Sequence, residues 1–586
     1  MSSRRTFLTL AAAALASVRA RQVFGEGAAG SQPPTASPAQ TGAVQGSAPR
    51  ESLFSGAPEP DDPLELLYSR RLSFDEGQPL ITVRVLEGQT TVVLRAPGQL
   101  TASARTEKGK TTPLPRQNAG KFTLDLRDGR PGVGASWVEL EQVRYADHEG
   151  RDEARALWES RGVKVRLATV GDVYGIAGHV VDTRRTALLA EGDATEDGAR
   201  AQAKELTDKW GLRAQIHREL AGRPGGRIAL LDAKGKLVGE GEGAIELRCN
   251  KGLAVDDVEF GMGYAFHGYE RRVYPGRLYA CIDATGKLAV VAAVPMERLV
   301  KGVVPSEIFA KAHKEALKSQ AVTARGEVLA KVGARHLGDP YLLCAEQHCQ
   351  VYKGLAAEER GTDAAVDATR GQALFARSTG GEPSRLVDSV YSAVCGGFTE
   401  DNDAVWGGPA DPSLRGRPDF DPRAKDLAAF ADGVGDALVN RFVHTPPTHT
   451  YCTLSGMAPK DKVRWQRRFA AKDLDALCVA YNVGEVKALN VEGRGVSGRA
   501  RALAIEGSLG HAKVHGELTI RRLFKNLNSG MFVVEREGDE WVFTGGGWGH
   551  GSGMCQTGAI GRAKAGQTYR QILGWYYSGA APQKIY

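Results

Sequence analysis

The sequence predicts an α+β fold: a β-rich body with one long helical tract, plus a small inserted βαββαβ unit. Three observations carry this. From Leu80 onward apolar and polar residues alternate between glycine-containing turns, as half-buried strands do. From Met296 to Lys331 the apolar residues Ile308, Ala312, Leu317, Ala321, Ala324 and Val328 recur at spacings of three to five, the rhythm of a helix with a buried face. Between these stretches, residues 136–222 alternate strand and helix patterns.

In chain order, Arg4-Arg5 precedes the apolar run Phe7 to Val18, which is too short to span a bilayer and ends in small residues near Ala20. Residues 1–24 therefore read as a signal peptide, either of twin-arginine type or an ordinary secretory one, leaving no transmembrane anchor after cleavage. The expected location is outside the cytoplasm, periplasmic or extracellular. Residues 25–62, rich in Ala, Gly, Pro, Ser and Gln without apolar period, read as a disordered linker.

Residues 63–135 hold the first strands, Ile81-Thr82-Val83-Arg84-Val85, Thr91-Val92-Val93-Leu94-Arg95 and Phe122-Thr123-Leu124-Asp125-Leu126. Residues 136–222 follow with a strand at Trp137, a helix from Asp152 to Arg161, strands at 163–170, 174–181 and 187–190, a helix from Glu196 to Trp210 and a strand at 213–216. That order approximates a split βαβ sandwich. It resembles a sporulation-related repeat domain, which implies glycan binding; a purely structural insertion is the other reading. The body resumes over 223–586 with strands such as Ile228 to Leu231, Ala244 to Leu247, Arg277 to Cys281 and Leu288 to Val294. The Pro- and Asp-rich stretch 408–450 reads as loop.

At 586 residues the chain exceeds what one core usually supports. A formal charge of +7 without a Lys/Arg block argues against a dedicated nucleic-acid binder, while suiting a polyanionic surface. The eight cysteines are scattered except for Cys344 and Cys349, so they form no small disulfide framework; Cys452 with Cys478 is the favoured bridge.

Four constellations carry chemistry. Glu307 follows Pro305-Ser306, read as the start of a helix with Ser306 as N-cap. There the helix dipole would lower its pKa, so Glu307 is either a helix-stabilising residue or, if Val303, Val304, Ile308 and Phe309 desolvate it enough, a general acid. His336, Cys344, His348 and Cys349 suit zinc; adjacent residues usually point apart, so His336, Cys344 and Cys349 are the expected ligands, with a Cys344–Cys349 disulfide as the alternative. The glycine-dense run Gly545 to Gln556 lets backbone approach a ligand and His550 project into a cleft. Tyr391 to Glu400, followed by Trp406, offers a ring face for a sugar, or else a core tryptophan.

Five of these segments, in order, resemble the stage II sporulation protein D family of cell-wall lytic transglycosylases and amidase enhancers: Pro295 to Glu307, Ala316 to Arg325, His348 to Gly354, Ser392 to Glu400 with Trp406, and Gly547 to Gly558. The resemblance covers about 290 to 410 and 485 to 586 best and excludes 136–222. It implies Glu307 as the catalytic acid and base, with Gln320, Arg325, Tyr352, Ser392, Trp406 and His550 as substrate contacts. It implies a zinc held by His336, Cys344 and Cys349. The partner implied is the peptidoglycan glycan strand, cut between N-acetylmuramic acid and N-acetylglucosamine; the alternative is a non-catalytic enhancer of a cell-wall amidase.

Overall fold

The computed structural model describes residues 60–69, 71–176, 178–210, 212, 215–262, 267–377 and 384–586. The predicted signal peptide and nearly all of the predicted linker lie outside the described residues. Among those residues no helix is long and apolar enough to cross a membrane.

Helix and strand are mixed, with strand predominant. Two sheets form the body, antiparallel except where Leu343–Cys344 pairs in parallel with Gln78–Gln89 in the first. One runs in the order Ser73–Asp75, Gln78–Gln89, Leu288–Pro295, Arg277–Ile282, Ala244–Arg248, Thr101–Arg105 and Thr111–Pro113. The other is ordered Leu237–Glu242, Gly225–Leu231, Gly120–Arg130, Thr91–Ala96, Leu253–Phe260 and Gly268–Tyr274. Strands before residue 130 thus pair with strands after 225, which closes one core across the intervening segment. Ile245, Leu278 and Val290 from the first sheet and Leu94, Leu124 and Val255 from the second share that core. The β-branched and leucine side chains on alternate positions supply its apolar face.

Between them, strands Val133–Arg144, Val165–Val170, Arg185–Ala190 and Gln215–Gly222 build a four-stranded antiparallel sheet. Helices α1 (His148–Ser160) and α2 (Glu196–Trp210) pack on it through Trp158, Ala199 and Leu206 in a small separate core. The stretch 174–181 departs from expectation. It is a two-stranded hairpin outside that sheet, and its Tyr174, Ile176 and Val181 are buried in the main core instead.

The long helical tract is two helices. Strand Leu288–Pro295 runs directly into α3 (Met296–Glu307), Ile308 turns extended at φ −124°, and α4 (Lys314–Lys331) begins at His313, whose side chain accepts from the Glu315 N–H. Pro305 stands inside the last turn of α3, where it withholds a backbone donor and helps end the helix. α4 is buried on nearly every side, as a central core helix is, so its sequence shows little amphipathic contrast.

The C-terminal third does not stay loop through 408–450: Gly435–His444 is a helix whose Val439, Phe442 and Val443 pack with Phe420, Leu427 and Phe430. Cys452 and Cys478 are both free thiols and lie in different cores, which excludes the bridge expected between them. Sequence separation had suggested the pair; packing assigns each cysteine to another neighbourhood.

Candidate active site

Glu307 is the last residue of α3, not the first turn of a helix, and Ser306 caps nothing: its hydroxyl donates back to the Gly302 carbonyl at 2.7 Å. The electrostatics therefore reverse. A carboxylate at a helix C-terminus meets the negative end of the dipole, which favours the protonated form. Glu307 is half-buried, open enough for a ligand oxygen to reach it. Desolvation raises its pKa to about 7; the Val351 N–H, donating to Oε1 at 2.6 Å, opposes this, and the neighbouring Glu327 adds to it. A group at that value can both give and take a proton near neutrality.

The surrounding groups come from four segments. Gln556, the first residue of α5 (Gln556–Lys564), hydrogen-bonds the Glu307 carboxyl and donates from Nε2 to Gln320 Oε1 at 3.2 Å. Gln320, Ala324, Glu327 and Lys331 form a stripe along α4, at the spacing that places them on one face. Gln350 donates to the Ala324 carbonyl at 2.9 Å, and Lys331, ion-paired with Glu327, donates to the Cys349 carbonyl at 2.9 Å. This stripe holds the segment 349–351 so that Val351 N–H faces Glu307. Sequence reasoning missed Glu327, Lys331 and Gln556; for the first two, the available signal was a carboxylate and an ammonium four residues apart on one helix face.

Strand Tyr391–Ser392 pairs in parallel with Met554–Cys555, and Val394 bridges to Trp548, so the two glycine-rich motifs form one wall. Gly551, at φ +81°, lies against the Arg499 guanidinium, where any Cβ would collide. His550 sits half-buried in this wall. Its Nε2 lies 2.9 Å from the Tyr391 carbonyl and its Nδ1 accepts from the Ser552 N–H at 3.1 Å. Burial lowers its pKa to about 4, so the ring is neutral near pH 7, with the proton assigned to Nε2. Both nitrogens serve the backbone. What the imidazole offers outward is a face, and the exposed Trp406 ring packs on it at 4.9 Å.

Three expected substrate contacts are corrected. Arg325 has no exposure and is locked to Glu297 at 2.7 and 2.8 Å, a structural ion pair. Gln320 is likewise fully buried and acts through Gln556. Tyr352 is buried against Tyr274, its ring filling the space beside Gly302. Ser392 is nearly buried with its hydroxyl unpartnered, and Trp406 is exposed. Trp406 thus offers an open ring face beside His550.

A second cluster lies beyond Val351. His336 Nε2 is 3.4 Å from Cys349 Sγ, and His348 Nδ1 is 3.6 Å from Cys349 Sγ and 3.7 Å from Cys344 Sγ. The edges of a zinc tetrahedron with S and N ligands are about 3.5 Å, so this geometry fits the ion. Asp339 sits 2.9 Å from His336 Nδ1, the carboxylate partner that directs Nε2 inward. One expectation is revised: His348 and Cys349, though adjacent, both converge, because the chain turns tightly with Cys349 N–H on the Glu346 carbonyl. Cys344 and Cys349 are free thiols.

Residues 284–375 match the family model described as Stage II sporulation protein, and residues 400–553 match a domain of unknown function. Stage II sporulation protein D of Bacillus subtilis is 27% identical over 302 residues, which cover 49% of this chain and 74% of that protein. Over the segment that holds Glu307 and α4, the chain is similar to the stage II sporulation protein family. Two further relatives extend the comparison. An uncharacterized protein of Brachyspira hyodysenteriae is 27% identical over 319 residues, 54% of this chain and 73% of that one. The amidase enhancer of Bacillus subtilis is 24% identical over 295 residues; they cover 48% of this chain and 39% of the enhancer. Within the family match lie Glu307, α4 and the His/Cys cluster, whereas Ser392 and Gln556 fall outside both matched segments.

Proposed function

We propose that this protein is an exported peptidoglycan lytic transglycosylase in which Glu307 is both acid and base. The observation that carries the reading is a single reachable carboxyl held near neutrality by burial. Protonated Glu307 gives its proton to the oxygen between N-acetylmuramic acid and N-acetylglucosamine, and that bond breaks. The resulting carboxylate takes the proton from the muramyl 6-hydroxyl as its oxygen bonds to the anomeric carbon, closing a 1,6-anhydro ring. No water is consumed, and Glu307 ends protonated. Glu327 is not a second catalytic group in this scheme, because Lys331 engages it. Its charge discourages Glu307 from ionising early.

Peptide-stripped glycan strands incubated with the protein should yield anhydro-ended fragments by mass spectrometry. Intact strands after full incubation would refute the enzyme. The reading as a non-catalytic amidase enhancer is favoured by one observation, the similarity to a protein of that name. It predicts no fragments, and faster peptide release when a cell-wall amidase is added.

Zinc belongs to this proposal as a structural ion held by His336, Cys344, Cys349 and His348. Four protein ligands leave no position for water, so the ion organises the segment that presents Val351 N–H to Glu307. Chelation is expected to lower glycan cleavage at least tenfold while leaving the far-ultraviolet circular dichroism unchanged, with activity restored by zinc.

A further inference from the structure

A second group of buried thiols lies outside the catalytic scheme. Cys395, Cys555 and Asp419 bring their ligand atoms within 4.8 Å of one another, and all three residues are buried. Cys452, with no exposure, lies outside that 4.8 Å group but touches one member of it, hydrogen-bonding the Cys395 thiol. These residues come from four separate places: the turn after Tyr391–Ser392, the loop at 419, the short helix Tyr451–Leu454, and the start of α5.

The backbone around the sulfurs is arranged for thiolates. Gly397 N–H donates to Cys395 Sγ at 3.4 Å, across a turn with φ +77° at Gly396 and +106° at Gly397. Cys395 N–H and Gly558 N–H both donate to Cys555 Sγ at 3.2 Å. Main-chain N–H groups aimed at sulfur stabilise its anionic form, as the supporting shell of a metal site does. Asp419 is oriented by Arg562 at 2.9 and 3.0 Å and by the Tyr576 hydroxyl at 2.9 Å, with the Cys395 thiol donating to Oδ2 at 3.2 Å.

Charge then selects the occupant. Arg562 neutralises Asp419, whereas Arg464, which donates to the carbonyls of Gly396, Val463 and Phe442, keeps its Nε buried without a partner, and the titratable groups beside it are the thiols of Cys452 and Cys395. Three thiolates and the Asp419 carboxylate carry four negative charges. A divalent cation with the two guanidiniums carries four positive. A disulfide would instead leave the Arg464 guanidinium with carbonyl acceptors but neutral sulfur where thiolates would balance its charge.

We propose that Cys395, Cys452, Cys555 and Asp419 form a second structural site for a thiophilic divalent ion of the zinc class. Binding exchanges the three thiol protons to solvent as three metal–sulfur bonds form. The ion ties α5, which carries Gln556, to the turn beside Trp548, and so supports the cleft wall from behind.

The test uses the full chain with Cys344 and Cys349 both changed to Ser, which removes the first cluster and leaves this one intact. After dialysis against zinc and then buffer, about one zinc per chain should remain by elemental mass spectrometry. Cobalt exchanged into that variant should show the near-ultraviolet thiolate-to-cobalt band. Adding Cys395→Ser and Cys555→Ser should abolish both signals. If that chain does not fold, the cobalt spectrum of the first variant decides alone. A metal-free first variant overturns the proposal, whether its six remaining cysteines titrate as free thiols in denaturant or two fail to react because they are joined.

Discussion

Glu307→Gln is expected to abolish glycan cleavage, with a fall of about a hundred- to ten-thousandfold in kcat, while making the folded protein more stable at neutral pH. The two outcomes share one cause. In the unfolded chain the carboxyl ionises near 4.5, and in the folded protein near 7. Between those values the folded state holds a proton that the unfolded state has released, so stability falls as pH rises through this window. Above pH 7 the full penalty is present, on the order of 3 kcal/mol before discounting for the group's partial exposure. Glutamine cannot ionise and escapes it. Urea unfolding of wild type and variant should therefore coincide near pH 4 and separate by pH 8, the variant being the more stable. Wild-type cleavage should fall as pH rises past about 7, because the acid form is lost. Coincident curves at both pH values would mean that Glu307 is not desolvated, and the acid–base proposal would fail with it.

The second large effect is structural. Arg325→Ala should cost about 3–5 kcal/mol, because it strands Glu297 as a buried, uncompensated carboxylate. Burial pushes the Glu297 pKa up, but the hydrogen bond and charge of Arg325, with the Tyr586 hydroxyl at 2.7 Å and the Gly371 N–H at 3.1 Å, hold it below its ordinary value. The corresponding stability is complete above pH 4.5 and is lost as pH falls through the lowered value. Acid should therefore unfold wild type through this pair, and the Arg325→Ala chain should lack that component. A Glu297→Gln, Arg325→Met double variant is expected to recover much of the loss, since neither charge is then left alone. Chemical denaturation at pH 7 measures the free energies. Glycan affinity of the folded fraction should remain unchanged. A selective loss of affinity with normal stability would return Arg325 to the substrate.

Much of the fold was legible because periodicity reports local burial. Alternation marked Leu288 to Val294 and Arg277 to Cys281 as strands, and the two helices at 148–160 and 196–210 followed from spacing and composition. The stretch 174–181 is strand as expected, but it joins the main core rather than the small sheet, because alternation shows that one face is buried, not against what. Glu307 was legible as a residue and misread as a position. Pro305-Ser306-Glu307 has the composition of a helix start, yet Met296 to Val304 had already formed a helix that Pro305 helps to end.

The sequence by itself determined the residue types that this chemistry requires: the carboxyl at 307, two histidines and two cysteines within a short span, and a glycine-dense wall bearing Trp548 and His550. Tertiary structure alone decided their states. Whether a carboxyl is acid or anion, whether an arginine binds ligand or Glu297, and whether Cys452 meets Cys478 or Cys395 all depend on dielectric surroundings and on neighbours tens to hundreds of residues away. Those are properties of packing, which no local pattern encodes.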